Sequence, residues 1–242
     1  MERPIVVVAP TFNEQDNIAA FLSATTKFVP TIVVSDSQST DHTAAIVKTY
    51  AAKNSGIHFL VGKTAGPGKL GVGLTAGIDY AFAKLGAKTV ITMEADLSNN
   101  PAELPKFVQK AQRADLVLGS RYVAGGKIVN WSWWRRFLSW AANLILMFLA
   151  GTLRVHEFTN LYRAFNKKTW DTVRPKAGLH HGWLFVPAFA FEAIAAHLTI
   201  VEQAIVYQDR FKGRSKMQTL SYTKNLLRYA LRYRLNNYGS HS

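Results

Sequence analysis

The chain has 242 residues, 48% apolar and 18% charged, enough to bury the core of one large α/β domain, alone or with an appendage. Its 29 basic residues outnumber 15 acidic ones and leave a net charge of +14, which points to a polyanionic partner: nucleic acid, anionic lipid or a phosphorylated substrate. There is no cysteine, which excludes disulfides and thiolate-bound metals.

Residues 5–9 are a short, fully apolar strand, followed by Pro10-Thr11-Phe12-Asn13-Glu14. Asn13 or Asp16 is expected to cap a helix that carries Ile18, Phe21 and Leu22. A second strand, residues 31–34, runs into a polar stretch from Ser35 to Thr43, and a helix with Ala45, Ile46, Val47 and Tyr50 follows. Residues 57–61 read as a strand, 74–85 as a helix, 89–93 as a strand, 102–111 as a helix and 116–118 as a strand. Strands alternating with helices predict a mostly parallel, doubly wound sheet. Polar clusters follow the first, second and fourth strands, as a nucleotide site at their carboxyl ends requires. The glycines around Lys69 suggest a phosphate cradle but match neither the P-loop nor the Gly-x-Gly-x-x-Gly pattern. No internal repeat is present.

Residues 90–98 organise the first half. An apolar, β-branched run ends on two carboxylates, Glu94 and Asp96. Positions i and i+2 of a strand face the same way, so the two are expected to project together from its carboxyl end. Paired carboxylates there suit a hard cation, Mg²⁺ or Mn²⁺, which would in turn hold phosphate oxygens. A solvated turn after an ordinary strand is the plainer alternative.

In the second half, Trp131, Trp133, Trp134, Arg135 and Arg136 precede residues 137–153, which carry no charge. The stretch is near the short limit for a bilayer span, and its tryptophans and arginines mark a membrane–water interface. Ser139, Asn143 and Gly151 favour an interfacial helix or membrane-dipping hairpin over a spanning or core helix. From Leu220 to Tyr238, apolar Leu220, Leu227, Leu231 and Leu235 recur against Lys224, Arg228, Arg232 and Arg234, a pattern suited to a helix lying on anionic lipid or packed on the surface. The aromatics form a belt rather than alternating with lysines on strands, which disfavours single-stranded nucleic acid.

The ordered motifs resemble the family 2 glycosyltransferases of GT-A fold, and among them the polyprenyl-phosphate (dolichyl-phosphate) mannose synthases. They are Pro10-Thr11-Phe12-Asn13-Glu14, Asp36-Ser37-Gln38-Ser39-Thr40-Asp41-His42-Thr43, Lys69-Leu70-Gly71-Val72-Gly73, Glu94-Ala95-Asp96-Leu97-Ser98, Gly119-Ser120-Arg121-Tyr122, Glu157-Phe158-Thr159-Asn160-Leu161-Tyr162-Arg163 and Asp209-Arg210-Phe211-Lys212-Gly213-Arg214-Ser215-Lys216. The resemblance implies a Rossmann-like, mostly parallel sheet with flanking helices, joined here by amphipathic membrane-interface helices. It divides the chain into a catalytic domain over residues 1–217, which contains the hydrophobic helix of residues 130–154, and a basic C-terminal helix and tail over 218–242. Departures are Glu94 for Asp, Ser37 for Asp, and Val186 and Ala188 where relatives carry polar residues; Glu192, one helical turn past Ala188, reads as a surface carboxylate, with substitution for the last as the alternative.

The activity implied is inverting transfer of a hexose, mannose foremost, from a nucleotide diphosphate sugar (GDP-mannose) to a polyprenyl phosphate by direct displacement. The first two motifs, with Pro10, Thr11, Asn13, Glu14, Asp36 and Asp41, would contact the nucleoside. Glu94 and Asp96, with Ala95 between them, would hold the metal on the diphosphate; Lys69, Gly71, Arg210 and Lys216 would meet donor phosphates. A phosphate acceptor has its second pKa near ~6 and needs cations rather than a general base. Ser120, Arg121, Arg136, Thr159 and Arg163 are the acceptor residues expected, and Asp96, Arg121 and Arg163 the catalytic set. Arg121 and Arg163 have an alternative as structural partners of Asp115 or Glu157, while Glu157 and Asp209 are the bases if the acceptor is a hydroxyl. The opening Met1-Glu2-Arg3-Pro4 lacks the organisation of a signal peptide, which places catalysis on the cytoplasmic side of the membrane, peripheral or monotopic. Two other readings fit the same residues: a family 2 transferase acting on a saccharide or lipid hydroxyl, and a catalytically decayed basic membrane- or nucleic-acid-binding module.

Overall fold

The structure, a computed structural model, describes residues 4–64, 66–209 and 219–238. Its first strand, β1 (Ile5–Thr11), divides its side chains between two cores. Val6 and Val8 pack with Val33 and Val90 on one face, Val7 and Ala9 with Ile32, Val34 and Ile91 on the other. A strand apolar at successive positions must be covered on both faces. α1 (Ile18–Thr25), α2 (Thr43–Lys53) and α4 (Leu104–Ala111) cover one face through Phe21, Val47 and Phe107; α3 (Leu70–Ala83), α6 (Lys167–Ala177) and α7 (Phe185–Ala195) cover the other through Ile78, Val173 and Phe189.

The remaining strands of the main sheet are β2 (Thr31–Asp36), β3 (Ile57–Val61), β4 (Thr89–Thr92), β5 (Leu116–Ser120), β7 (Arg163–Asn166) and β8 (Ile200–Ala204). Their order is β3-β2-β1-β4-β7-β5-β8, and all but β7 run the same way. β6 (Lys127–Ile128) and β9 (Val206–Tyr207) form a separate two-stranded ribbon. The mostly parallel sheet with flanking helices agrees with the expected fold class.

Several local expectations change. β4 stops at Thr92, where its register with Val8 of β1 and Arg163 of β7 also ends. Glu94 and Asp96 therefore sit on the following turn rather than on the strand. The N-cap of α1 is Asn17, without a side-chain cap bond, and not Asn13 or Asp16. β7 escapes sequence reading because four residues beginning with an arginine have no strand signature; only pairing between β4 and β5 makes them one.

α5 (Trp133–Ala150) starts earlier than the uncharged stretch, where the Ser132 side chain accepts from the Arg135 N–H, and ends at Gly151 with φ +69°. Its inner face holds Asn143, Leu146, Leu149 and Ala150. The polar residues that weakened a spanning reading point inward: Ser139 Oγ accepts from Tyr122 Oη, and Asn143 Oδ1 accepts from the Phe158 N–H. The outer face exposes Trp133, Trp134, Phe137, Leu138, Ile145 and Phe148. α8 (Thr219–Tyr238) packs on α5 and, through Tyr229 and Tyr233, on α7, leaving Leu227, Leu231 and Leu235 exposed. No helix among the described residues is long and apolar enough to cross a membrane.

Candidate active site

The carboxyl ends of β1, β2 and β4 open into a cleft of about 560 Å³. It is lined by Pro10 and Thr11 at the end of β1, Phe12 and Glu14 after it, Ser37 after β2, Gly66 and Leu70 on the approach to and at the start of α3, Glu94, Ala95 and Asp96 after β4, and Trp183 before α7. Three of these loops each hold one non-glycine residue in the left-handed region: Asn13 (φ 53°), Gln38 (φ 57°) and Leu97 (φ 62°). Such strain persists only where surrounding contacts over-determine it, and it concentrates at functional sites.

Here the contacts are visible. Thr11 Oγ1 donates to Asp36 Oδ1 at 2.8 Å, and Asp36 Oδ2 accepts from the Ser39 N–H at 2.7 Å. Asn13 Oδ1 accepts from the Thr40 N–H at 2.8 Å; Asp41 accepts from the N–H groups of Thr43 and Gln15 at 2.9 and 3.2 Å. Asn13, Asp36 and Asp41 thus tie the β1 and β2 loops together, while Pro10, Thr11 and Glu14 line the cleft between them.

Glu94 and Asp96 line the same cleft although neither is on the strand. Asp96 Oδ1 accepts from the N–H and hydroxyl of Ser98, at 3.0 and 2.6 Å, and Asn99 Nδ2 donates to Glu94 Oε2. That bond orients a side chain one methylene longer than the family's aspartate. Among the described residues there is no cluster of three or more His, Asp or Glu able to hold a metal. Two oxygen-donor carboxylates in an open cleft fit Mg²⁺ or Mn²⁺, which commonly take one or two carboxylates and complete their shell with phosphate and water oxygens.

Lys69 and Gly71 lie where a 3₁₀ turn (Pro67–Lys69) passes into α3. Gly71 has a specific reason to be glycine: a Cβ there would come within 2.0 Å of the His180 carbonyl oxygen. The close approach lets the N–H groups of Gly71 and Val72 donate to the His181 carbonyl, at 2.8 and 3.3 Å, and clamps the segment that carries Trp183.

Arg121, at the end of β5, forms a buried fork with Glu157: Nε to Oε2 at 2.7 Å and Nη2 to Oε1 at 2.8 Å, with Nη2 also donating to Thr159 Oγ1 at 2.8 Å. Glu157 further accepts from the N–H groups of Thr159 and Asn160. Burial alone would lower the Arg121 pKa, but the Glu157 carboxylate overrides it and holds the guanidinium above its usual range. Burial likewise works to raise the Glu157 pKa, and Arg121 and the Thr159 donors outweigh it, holding the carboxyl below its usual range. Tyr122, Trp131 and Tyr207 surround Arg121 with ring centroids 5.2–5.5 Å from its guanidinium carbon. Tyr207 joins this group to the cleft, its pKa pushed up to about 12 by burial and by the Glu94 and Asp96 charges. A second link runs from Asn160 Nδ2 to Asn99 Oδ1 (3.4 Å) and on to Glu94.

Arg163 differs from expectation. It is buried on β7 and donates from Nε, Nη1 and Nη2 to the carbonyls of Asn160, Val186 and Phe158. Desolvation lowers its pKa to about 10. With its fork spent on backbone carbonyls, Arg163 holds the β7 entrance to α7 and is not placed as an acceptor-phosphate ligand. Ser120 is fully buried beneath Arg121. Arg136 is exposed on the first turn of α5, with Nε donating to the Trp131 carbonyl. Asp209 accepts from Trp131 Nε1 and Arg135 Nη1, both at 2.8 Å. Val186 and Ala188 are buried in apolar core, and Glu192 binds Lys176 and Tyr229, tying α6, α7 and α8 together instead of lining the cleft. Arg210 and Lys216 lie outside the described residues. Sequence reasoning did not single out Phe12, Asn99, Asn160, Trp183 or Tyr207 as site residues, although Phe12 and Asn160 lie inside the quoted motifs; only the meeting of separate loops brings the five together.

The fold and cleft define an α/β protein with a ligand cleft at the carboxyl edge of its sheet, and comparison with known proteins identifies its class. The family profile for glycosyl transferase family 2 matches residues 6–184. The chain belongs to this family and is a glycosyltransferase, as the motifs implied. It is similar to the polyprenol monophosphomannose synthase of Mycolicibacterium smegmatis, 32% identical over 215 residues covering 88% of this chain and 80% of the relative. It is 33% identical over 215 residues to the undecaprenyl-phosphate mannosyltransferase of Micrococcus luteus, covering 88% and 87%. Among solved structures, glucosyl-3-phosphoglycerate synthase from Mycobacterium tuberculosis, in a complex with Mn²⁺, UDP and glucosyl-3-phosphoglycerate, superposes with a TM-score of 0.68 at 18% identity, covering 96% of this chain and 80% of that one. The same enzyme with Mg²⁺ and UDP gives 0.67 at 17% identity, covering 96% and 79%. At that identity the likeness establishes the GT-A fold.

Proposed function

We propose that this glycosyltransferase moves a hexose, mannose foremost, from a nucleotide diphosphate sugar such as GDP-mannose to a polyprenyl phosphate at the cytoplasmic face of a membrane. The observation that carries the reading is the cleft itself: Glu94 and Asp96 share it with the β1 and β2 loops, which supports a metal-bound diphosphate beside a nucleoside. Glu94 and Asp96 would hold Mg²⁺ or Mn²⁺, which when bound supplies charge neutralisation for the departing diphosphate. The solved neighbours carry Mn²⁺ or Mg²⁺ with UDP, which supports the use of a divalent cation. The names of the two relatives support a polyprenyl phosphate acceptor and mannose.

The state of Glu157 favours a phosphate over a hydroxyl acceptor. A hydroxyl needs a general base, but Glu157 is bound by Arg121 and three further donors and has its pKa lowered, which makes it a poor one. Arg121, forked on Glu157 as the structural alternative foresaw but bordering the Asp96 turn through Tyr207, is proposed from its motif alone to meet the acceptor phosphate, with Thr159 beside it and Arg136 nearer the lipid. Lys69, Arg210 and Lys216 are proposed for the donor phosphates. A radiolabel assay with purified protein, undecaprenyl or dolichyl phosphate and a panel of nucleotide sugars tests this; no lipid-linked product with any donor rejects it.

The outer face of α5 supports membrane attachment. Trp133 is 75% and Phe148 72% exposed, an apolar stripe that continues across Leu231 and Leu235 of α8 beside the basic residues of that helix. Phe148→Glu combined with Leu144→Glu is expected to weaken binding to anionic phospholipid vesicles by at least about tenfold, from the lost burial of each side chain. Co-sedimentation measures this; unchanged binding would assign attachment to another surface.

A further inference from the structure

Behind Glu94 a chain of side-chain amides runs back toward β7. Asn99 is fully buried, with Nδ2 donating to Glu94 Oε2 and Oδ1 accepting from Asn160 Nδ2 at 3.4 Å. The direction of this chain is set at its far end. The Tyr162 N–H can only donate, and it donates to Asn160 Oδ1 at 2.8 Å. The Asn160 amide must then present an N–H to Asn99, and Asn99 an N–H to the carboxylate. The backbone on either side is pinned as well. Asn99 pairs with Tyr207 of β9 in an isolated antiparallel bridge, and the Gln208 N–H donates to the Ser98 carbonyl at 3.1 Å. The Asn160 N–H donates to Glu157 Oε1 at 3.2 Å, which ties the chain to the buried fork on Arg121.

This arrangement answers a difficulty that Glu94 raises. Glutamate has one more rotatable bond than the aspartate of the family motif, and Mg²⁺ tolerates little departure from its preferred geometry. A hydrogen bond from a buried, prealigned amide takes that freedom away, as partners of metal-holding side chains commonly do. We infer that Asn99 is a positioning residue for the cation: it fixes the Glu94 carboxylate where the longer side chain reaches, so that Glu94 and Asn99 act as a pair. This rests on reading Glu94 and Asp96 as the cation-holding groups of a nucleotide-sugar site, and it adds how the extra methylene at position 94 is accommodated. Asn99 itself is sealed from the cleft and acts only through Glu94, which lines it.

The test titrates Mn²⁺ by calorimetry into protein holding GDP (or the nucleotide selected by the transfer assay), for wild type, Asn99→Leu, Glu94→Asp and the double variant. Leucine keeps much of the shape of Asn99 and removes the N–H. Mn²⁺ should then bind roughly 10- to 100-fold more weakly, with metal-free nucleotide affinity unchanged, a split that a merely collapsed site would not give. Glu94→Asp restores the family's residue, yet it too should weaken Mn²⁺, because a carboxylate drawn back by one methylene no longer meets Asn99. That arm does not depend on how Asn99→Leu folds. In the double variant the two losses should not add, since either change alone already breaks the pair. Glu94→Asp binding Mn²⁺ as tightly as wild type, Asn99→Leu without effect or weakening metal-free nucleotide equally, or additive losses overturn the inference while leaving the functional reading intact. Failure of wild type to bind Mn²⁺ with any nucleotide of the panel overturns both.

Discussion

Asp96→Asn is expected to lower turnover by roughly 10³-fold, the scale on which a principal electrostatic stabiliser of a developing anion acts. The substitution is nearly isosteric. An asparagine oxygen still accepts from the Ser98 N–H and hydroxyl, so the turn should survive and only the charge is removed. Asp96 is 4% exposed overall yet lines the cleft, so its charge acts where water is scarce and its loss is poorly compensated. Single-turnover transfer gives the rate, and calorimetric titration of Mn²⁺ in the presence of nucleotide shows whether cation and nucleotide still bind together. Full wild-type activity without any divalent cation would remove the metal role of Glu94 and Asp96.

Glu157→Gln should be the most destabilising single change in the site region, costing about 3–5 kcal/mol, because it strands Arg121 as a buried charge. Both side chains are almost fully buried, at 6% and 1% exposure. Replacing both, as Arg121→Met with Glu157→Leu, should recover much of that stability, since the cost arises from an uncompensated charge rather than from loss of the pair's attraction. The sign of the pH dependence follows from the lowered Glu157 pKa. Its contribution is fully present above the ordinary carboxyl range near ~4.3 and fades as pH falls through the folded value. The stability gap between wild type and Glu157→Gln, measured by urea unfolding, should therefore be constant near neutrality and narrow in acid. A cost below about 1 kcal/mol at neutral pH would mean that the pair is solvated in solution.

The fold was legible in the sequence to the extent that its signals were local. The apolar runs of β1, β2 and β4 and the polar clusters after them announced a doubly wound sheet with a ligand at its carboxyl edge, because a strand buried on both faces must be apolar at successive positions. β7 and β8 were not legible: Arg163-Ala-Phe-Asn166 and Ile200-Val-Glu-Gln-Ala204 become strands through the partners they meet. Among charged residues, type alone did not distinguish Arg121, forked on Glu157, from Arg163, spent on carbonyls; desolvation and geometry did.

By itself the sequence determined the family, the alternation of strands and helices in its first half, the nearness of Glu94 and Asp96 and the interfacial character of residues 130–154. Those follow from spacing and hydropathy, which act over a few residues. The tertiary structure decided that the two carboxylates reach one cleft from a turn, that Glu157 is locked to Arg121, and that Arg163 braces backbone. Each depends on which distant segments meet and how much water is left between them, and no short-range pattern encodes either.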